Sequence, residues 1–207
     1  MSARDFLDAD ARSKITTAIK AVELRTSAEL VVTVRKVSGH YGQADLTAGI
    51  VLMLVGLLVF LFHPTPFDED LFPVGEVGLL AVGALLCRSL PPLRRLLTPG
   101  SVRADSVRAA ACRAFVEQGV SRTRDRSGIL FYVARFERRL EVVADLGVPV
   151  DDLGEPWRQA LVTLHRTVEA GDADAFAQAL EALAGPLERA MKRREDDTNE
   201  LPDEVGE

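Results

Sequence analysis

Three aspartates in the second half of the chain have the residue type and spacing of a cation site. Asp145 ends a predicted strand, and Asp151 and Asp152 follow it within seven residues. Strand ends are where α/β folds place functional side chains, and carboxylate oxygens are the ligands that Ca²⁺ and Mg²⁺ prefer. The spacing therefore predicts a Ca²⁺ or Mg²⁺ site at these residues. The alternative for Asp145 is structural, with its carboxylate capping the following turn.

A second candidate is the arginine-rich segment that precedes the next predicted strand. Arg122, Arg124 and Arg126 alternate along it, and Asp125 lies between the last two. Guanidinium groups match the oxygens of phosphate in a bidentate way. The segment therefore predicts contact with a phosphate or with anionic lipid headgroups. The alternative is a solvated loop without a ligand.

Familiar catalytic motifs are absent from the sequence. It contains no P-loop, no GxGxxG, no nucleophile elbow, no HExxH and no CxxC. The three histidines, His40, His63 and His165, fall in unrelated predicted environments, which disfavours a histidine-based metal site. We therefore predict no catalytic and no cofactor-binding residue from motifs.

The elements that would position the aspartates and arginines form an α/β pattern. Apolar residues at three- and four-residue steps predict a helix over 4–24, and the run ELVVTVR predicts a strand over 29–36. Because that strand is apolar on both faces, we expect it to be central in the sheet. The other predicted elements are a helix from Ser101 to Gln118, an antiparallel hairpin of strands over 129–134 and 139–145, a helix from Pro156 to Gly171, and a kinked helix from Asp172 to Met191.

A long apolar stretch separates the first predicted strand from the helix at Ser101. Residues 46–67 include no charged side chain, and as a helix these 22 residues would span about 33 Å, enough to cross a bilayer core of about 30 Å. Residues 71–87 carry one charge, Glu76. We predict a transmembrane helix at 46–66, a short extracytoplasmic loop at 67–72 and a second transmembrane helix at 73–93. A buried soluble hairpin and a re-entrant second segment remain alternatives.

Charge is distributed unevenly around this stretch. The net charge of the chain is −6, yet residues 88–148 hold 12 basic and 6 acidic side chains, whereas residues 149–207 hold 6 basic and 15 acidic ones. Basic residues flank both apolar runs and none lies between them, which predicts cytoplasmic termini. The basic block lacks interleaved aromatics, which argues against nucleic-acid binding. Residues 194–207 are mostly acidic, and we expect them to be disordered.

Two stretches of the sequence resemble the TPM domain family. These are TSAELVVTV (Thr26 to Val34) and RAFVEQGVSRTRDRSGILFYVARFERRLEVVADLGV (Arg113 to Val148). The family is named for a thylakoid lumen acid phosphatase, a photosystem II repair protein and a nematode modulator of acetylcholine receptors. The resemblance implies a sandwich of a small mixed sheet flanked by helices, formed here by residues 1–45 and 100–193. It also implies that Ca²⁺ or Mg²⁺ is the cofactor to consider.

The resemblance and the residues together favour an integral membrane protein of the bacterial plasma (inner) membrane. Its cytoplasmic TPM-like domain would be a non-enzymatic accessory or scaffold module that binds a protein partner during assembly or turnover of a membrane complex. The alternative is a metal-dependent phosphatase of the TPM type. A transport role would require self-association, because two spans cannot line a pathway alone. The glycines of the apolar runs would permit such close helix packing.

Overall fold

A computed structural model describes residues 6–63, 72–194, 200–201 and 205–206. The chain divides into two units, one formed by residues 1–38 and 104–207 and the other by residues 39–103. In chain order the elements are α1 (Ala9–Glu23), β1 (Glu29–Arg35), α2 (Gly42–Phe62), α3 (Phe72–Ser89), α4 (Pro91–Leu97), α5 (Gly100–Glu117), a 3-10 turn (Val120–Arg122), β2 (Gly128–Ala134), β3 (Arg139–Ala144), α6 (Gly154–Ala170), α7 (Ala173–Glu181) and α8 (Ala184–Ala190).

The three strands of the described residues form one mixed sheet in the order β1-β2-β3. β1 and β2 are parallel, with Glu29 opposite Gly128. β2 and β3 are antiparallel, with Ala134 opposite Arg139. The α/β class with a small mixed sheet is thus confirmed, and so is the antiparallel hairpin.

Alternation along the strands produces two hydrophobic layers. One face of the sheet, which includes Leu30, Phe131 and Leu140, packs in a large cluster with residues of α1, α6, α7 and α8. The other face, which includes Val31 and Leu130, packs with residues of α5. Because side chains alternate along a strand, each face of the sheet has its own apolar set and its own helical cover. The sheet is therefore the middle of three layers.

β1 lies at an edge of the sheet, so the prediction of a central position was wrong. Its residues from Glu29 to Val34 are buried as expected, but helices on both faces account for that burial. Hydrogen-bonded pairing decides which strand is central, and an apolar pattern contains no information about pairing. β2, which is buried throughout, is the central strand.

The predicted helix from Asp172 to Met191 is interrupted. The Asp172 carboxylate caps its start, accepting a hydrogen bond of 3.0 Å from the amide of Ala175, as predicted. The helix ends at Glu181, and α8 begins at Ala184. Pro186 lacks an amide hydrogen and cannot donate to the preceding turn. The sequence Gly185-Pro186 therefore starts a new helix rather than kinking one.

The unit of residues 39–103 is a helical hairpin followed by a short helix. α2 and α3 are each long and apolar enough to cross a membrane, and only 6% and 11% of the residues in their apolar windows are buried. The predicted second span extended to residue 93, whereas α3 ends at Ser89 because the Pro91-Pro92 pair begins α4. Most of the predicted loop 67–72 lies outside the described residues.

Glycines set the contact between α2 and α3. A Cβ atom on Gly83 would lie 2.8 Å from the carbonyl oxygen of Ala48 and 2.8 Å from the Cα atom of Gly49. Near the start of α2, Arg94 donates to the Asp45 carboxylate at 2.8 Å and lies 5.8 Å from the centre of the Tyr41 ring. Small residues let the backbones approach, as in membrane helix pairs.

Candidate functional site

Buried polar residues collect at one end of the sheet. Because β1 and β2 are parallel, their first residues are neighbours, and because β3 is antiparallel its last residue lies at the same end. We call this region the polar end. It comprises five polar residues with exposed fractions of 1–6%: Thr26, Glu29, Thr123, Ser127 and Asp145. Burying polar groups costs free energy unless they are hydrogen-bonded, so each needs a structural or functional reason.

Asp145 is the most constrained of these residues. Its Oδ1 atom accepts three hydrogen bonds, from Arg126 Nε at 3.0 Å, from Arg126 Nη2 at 2.8 Å and from the amide of Leu146 at 2.8 Å. Its Oδ2 atom is buried and has no hydrogen-bond partner among the described residues. The carboxylate therefore has one saturated oxygen and one that could accept a further donor.

The protonation of Asp145 is set by opposing effects. Burial raises the pKa of the carboxyl group. The hydrogen bonds from Arg126 and Leu146 and the charge of Arg126 lower it by more than burial raises it, so the pKa lies below its ordinary value. The hydrogen bond to Asp145, and to a smaller extent the charge of that carboxylate, raises the pKa of Arg126. Asp145 is thus ionised at neutral pH and is paired with a cation supplied by the chain itself.

Two loops place Arg126 against Asp145. Thr123 Oγ1 accepts the amide of Ser127 at 3.0 Å, and the carbonyl of Thr123 accepts the amide of Arg126 at 3.1 Å. Arg126 has a φ of +55°, a left-handed conformation that is uncommon for a residue with a side chain. The amide of Gly147 donates to the Arg126 carbonyl at 2.9 Å, and this joins the two loops.

Gly147 is required by the close approach of these loops. A Cβ atom there would overlap the carbonyl oxygen of Asp125 and would lie 2.7 Å from that of Arg126. Since both obstacles are backbone atoms, neither can rotate away. The sequence Asp145-Leu146-Gly147 therefore has a geometric explanation. Asp145 is a buried acid, and Gly147, two residues later, has no room for a side chain.

The predicted cation site is not assembled. Asp151 and Asp152 are exposed, whereas Asp145 is buried. Within 6–63, 72–194 and the two short described segments, no group of three His, Cys, Asp or Glu side chains is arranged to hold a metal ion. The described structure therefore does not bring the three aspartates together, and a Ca²⁺ or Mg²⁺ site at them stays a prediction. The turn after Asp145 carries Asp151 and Asp152 to the surface, while Arg126 is bound to one oxygen of the Asp145 carboxylate.

The predicted arginine cluster is divided among different partners. Arg126 pairs with Asp145, and Asp125 pairs with Arg194. Arg122 and Arg124 are exposed, and the backbone amide of Arg124 donates to the Glu200 carboxylate at 2.8 Å. A phosphate or lipid contact at Arg122 and Arg124 remains a prediction, whereas Arg126 has a structural partner.

A cavity of about 410 Å³ adjoins the polar end. It is lined by Ser27, Asp125, Gly147, Pro149, Ala190, Met191, Lys192 and Arg194. The contributions from Ala190 to Arg194 were not anticipated, because these residues lie at the end of α8 and just after it, and no spacing rule relates them to the loops at Asp125 and Gly147. The lining is mixed in charge, with one acid and two bases.

Comparison with known proteins shows a similarity of fold. No family model matches the chain, and no curated protein matches it. Among solved structures, the chain is similar to the NMR structure of the BA42 protein from the psychrophilic bacterium Bizionia argentinensis, with a TM-score of 0.57 and 17% sequence identity. The match covers 99% of this chain and 97% of that one. At this identity the similarity concerns the fold alone.

Proposed function

We infer that this protein is a membrane-anchored accessory module whose α/β domain, of the TPM type, binds a protein partner rather than catalysing a reaction. The observation that carries this proposal is the state of Asp145. The best candidate for a catalytic or metal-binding carboxylate is bound through one oxygen to Arg126 and to a backbone amide. A carboxylate held in this way stabilises two loops, and a stabilised loop surface suits recognition.

Anchoring is supported by the exposed apolar surface of α2 and α3. Large side chains such as Leu54, Leu58 and Phe62 are half to four-fifths exposed, and an apolar surface of this extent would be unfavourable in water. We place the hairpin in the bacterial plasma membrane, with both chain termini in the cytoplasm. The flanking residues Arg35, Lys36, Arg88 and Arg94 support this orientation.

Orientation is tested with reporter fusions. An alkaline phosphatase reporter inserted at Asp68, which lies outside the described residues, should be active because it would face the outside of the cell. The same reporter fused after residue 207 should be inactive. The opposite pattern would overturn the orientation, and inactivity at both sites would indicate that the hairpin does not cross the membrane.

The competing function is a metal-dependent phosphatase of the TPM type. In its favour, Asp145 Oδ2 is buried without a hydrogen-bond partner among the described residues. Against it, no group of three His, Cys, Asp or Glu side chains in the described part of the chain is arranged to hold a metal ion, and Arg126 is bound to one oxygen of Asp145.

The enzymatic alternative is tested on the full chain purified in detergent. Hydrolysis of a generic phosphomonoester is measured with Ca²⁺, with Mg²⁺ and with a chelator, beside Asp145→Asn. We expect no activity above the rate of the Asp145→Asn variant. Metal-dependent activity that this variant loses would overturn the non-enzymatic proposal and would identify Asp145 as catalytic.

Partner binding is tested by photo-crosslinking in intact membranes. A photoreactive residue replacing Arg124, which is exposed beside the polar end, should give a discrete crosslinked band. Replacement of Arg158, an exposed residue of α6, is the matched control and should give none. Equal labelling from both positions, or labelling from neither, would contradict recognition at this surface.

A further inference from the structure

The outer edge of β1 already holds an extended segment of the chain. The amide of Gly206 donates to the Val32 carbonyl at 2.9 Å, and the amide of Val34 donates to the Gly206 carbonyl at 2.9 Å. The two backbones run parallel where Thr33 is opposite Gly206. An edge strand exposes unpaired amides and carbonyls that readily accept another strand, and here one such pair is filled.

Side chains flanking this bridge also contact the domain. Val205 packs against the large hydrophobic cluster, and Leu201 packs against the smaller cluster on the other face of the sheet. The Glu200 carboxylate accepts the backbone amide of Arg124 at 2.8 Å. The edge therefore offers contacts for two apolar side chains and a hydrogen-bonded backbone, and the loop at Arg124 offers a contact for an acid.

The position of Gly206 favours a residue without a large side chain. A Cβ atom there would lie 3.3 Å from Thr33 Oγ1 and 3.6 Å from the Gln118 side chain. Both neighbours are fixed, because the Thr33 hydroxyl is buried and hydrogen-bonded to Gln118 Oε1 at 2.9 Å. A segment bound here must bring its backbone close to β1, and a side chain at that point would require Thr33 to shift by a few tenths of an ångström.

We propose that the outer edge of β1 is the docking site for an extended segment of a protein partner, bound parallel to β1, and that the chain's own residues 200–201 and 205–206 lie there as a competing mimic. The recognised segment begins with an acidic residue followed by an apolar residue, as in Glu200-Leu201. Four residues after that apolar residue comes a second apolar residue followed by glycine, as in Val205-Gly206. Strand addition of this kind takes affinity from the backbone and specificity from alternate side chains.

This inference rests on the proposed function, since it names the surface on which the partner would bind. The internal segment competes at a high effective concentration, of order millimolar for a short tether. A partner would therefore bind only when its own segment outcompetes residues 200–201 and 205–206 or when those residues are displaced.

The test uses the full chain in detergent and a fluorescent peptide with the sequence of residues 198–207. Gly206→Pro in the protein removes the amide that donates to Val32, and Gly185→Ala is the control because a Cβ there meets no atom within 4 Å. We expect the peptide to bind Gly206→Pro at least about tenfold more tightly than wild type or Gly185→Ala. The same peptide carrying Gly→Pro should not bind.

Hydrogen exchange at Val34 provides a second readout that does not depend on the peptide. Its amide should exchange at least about tenfold faster in Gly206→Pro than in wild type, and added peptide should restore its protection. Equal peptide affinity for all three proteins, absence of binding to Gly206→Pro, or unchanged exchange at Val34 would each overturn the proposal.

Size-exclusion chromatography with light scattering distinguishes another occupant. If wild type is a dimer that Gly206→Pro converts to a monomer, the segment is donated by a second copy of the chain, and the proposed partner is wrong. The peptide experiment measures the edge alone, so its failure would leave the crosslinking test of partner binding unaffected. If the peptide binds the edge of β1 as expected but no crosslinks form in membranes, the proposed function would instead be overturned.

Discussion

The ion pair between Asp145 and Arg126 links the chemistry of the polar end to its stability. In the folded protein the pKa of Asp145 lies below its ordinary value, so on acidification the unfolded chain takes up a proton first. The stabilisation from the ionised carboxylate is complete above about pH 5 and is lost as the pH falls through about 4 toward the lowered pKa.

This reasoning predicts a pH-dependent difference between wild type and Asp145→Asn. We expect the melting temperature of wild type to exceed that of the variant at pH 6 and the difference to shrink steadily toward pH 3. Thermal unfolding followed by circular dichroism across this range checks it. A difference that stays constant with pH would show that Asp145 contributes packing and neutral hydrogen bonds only.

Gly147 gives a prediction that depends on shape alone. Gly147→Ala would force a methyl group against the backbone oxygens of Asp125 and Arg126, and overpacking of this kind costs about 1–3 kcal/mol. Gly185→Ala, where the added methyl meets open space, should leave the free energy of unfolding unchanged or slightly increased. Chemical denaturation of the two variants side by side measures the difference, and equal stabilities would contradict the geometry.

Residue types in the sequence indicated the importance of Asp145 but not its partner. A carboxylate at a strand end is a recognisable signal, whereas its pairing with Arg126 depends on a left-handed backbone conformation at Arg126. Two nearby aspartates suggested a cation instead. Sequence distance is a poor guide here because a turn of a few residues can direct neighbouring side chains to opposite environments.

At the scale of elements, the contact between α2 and α3 depends on where glycine occurs. Gly83 lies against the backbone of α2, whereas a Cβ on Gly78 would meet nothing within 4 Å. Gly83→Val should therefore separate the two helices, and Gly78→Val should not. Double electron–electron resonance in detergent would measure this separation as the distance between spin labels at Leu58 and Val77, which are both exposed. Equal distances in the two variants would show that the contact between α2 and α3 tolerates a side chain at Gly83.

The elements were mostly predictable because their signals are local. Periodic apolar residues indicated α1, and Asp172 marked the start of α7 by an ordinary capping preference. The neighbours of β1 were not predictable, because its pairing with β2 joins residues almost one hundred positions apart. In addition, a strand buried on both faces has the same apolar sequence pattern at the edge of a sheet as at its centre. The bridge to Gly206 had no sequence signal at all, since an acidic tail predicts disorder by composition.

At the scale of the whole molecule, both hydrophobic clusters belong to the unit formed by residues 1–38 and 104–207. That unit should therefore fold without the hairpin. A variant in which a flexible Gly/Ser linker replaces residues 40–99 should be recovered from the soluble fraction and unfold cooperatively, whereas the intact chain should sediment with membranes.

Fractionation and thermal unfolding of the linker variant decide this prediction. A soluble protein with a single unfolding transition would show that the hairpin only anchors the domain. A variant that aggregates, with no cooperative transition, would show that residues 40–99 are needed for folding. A linker variant that still sediments with membranes would place the membrane contact in the α/β domain.

The order of synthesis follows from the pairing of β1 with β2. β1 ends at Arg35, and its parallel neighbour begins at Gly128, so residues 36–127 must be translated before the two strands can meet. At about 5–20 residues per second this interval lasts roughly 5–20 s. During that time the apolar α2 and α3 leave the ribosome, and a nascent chain with an unpaired, largely apolar strand must be protected from aggregation. Delivery of the ribosome to the membrane by the hairpin would provide that protection before the domain can close.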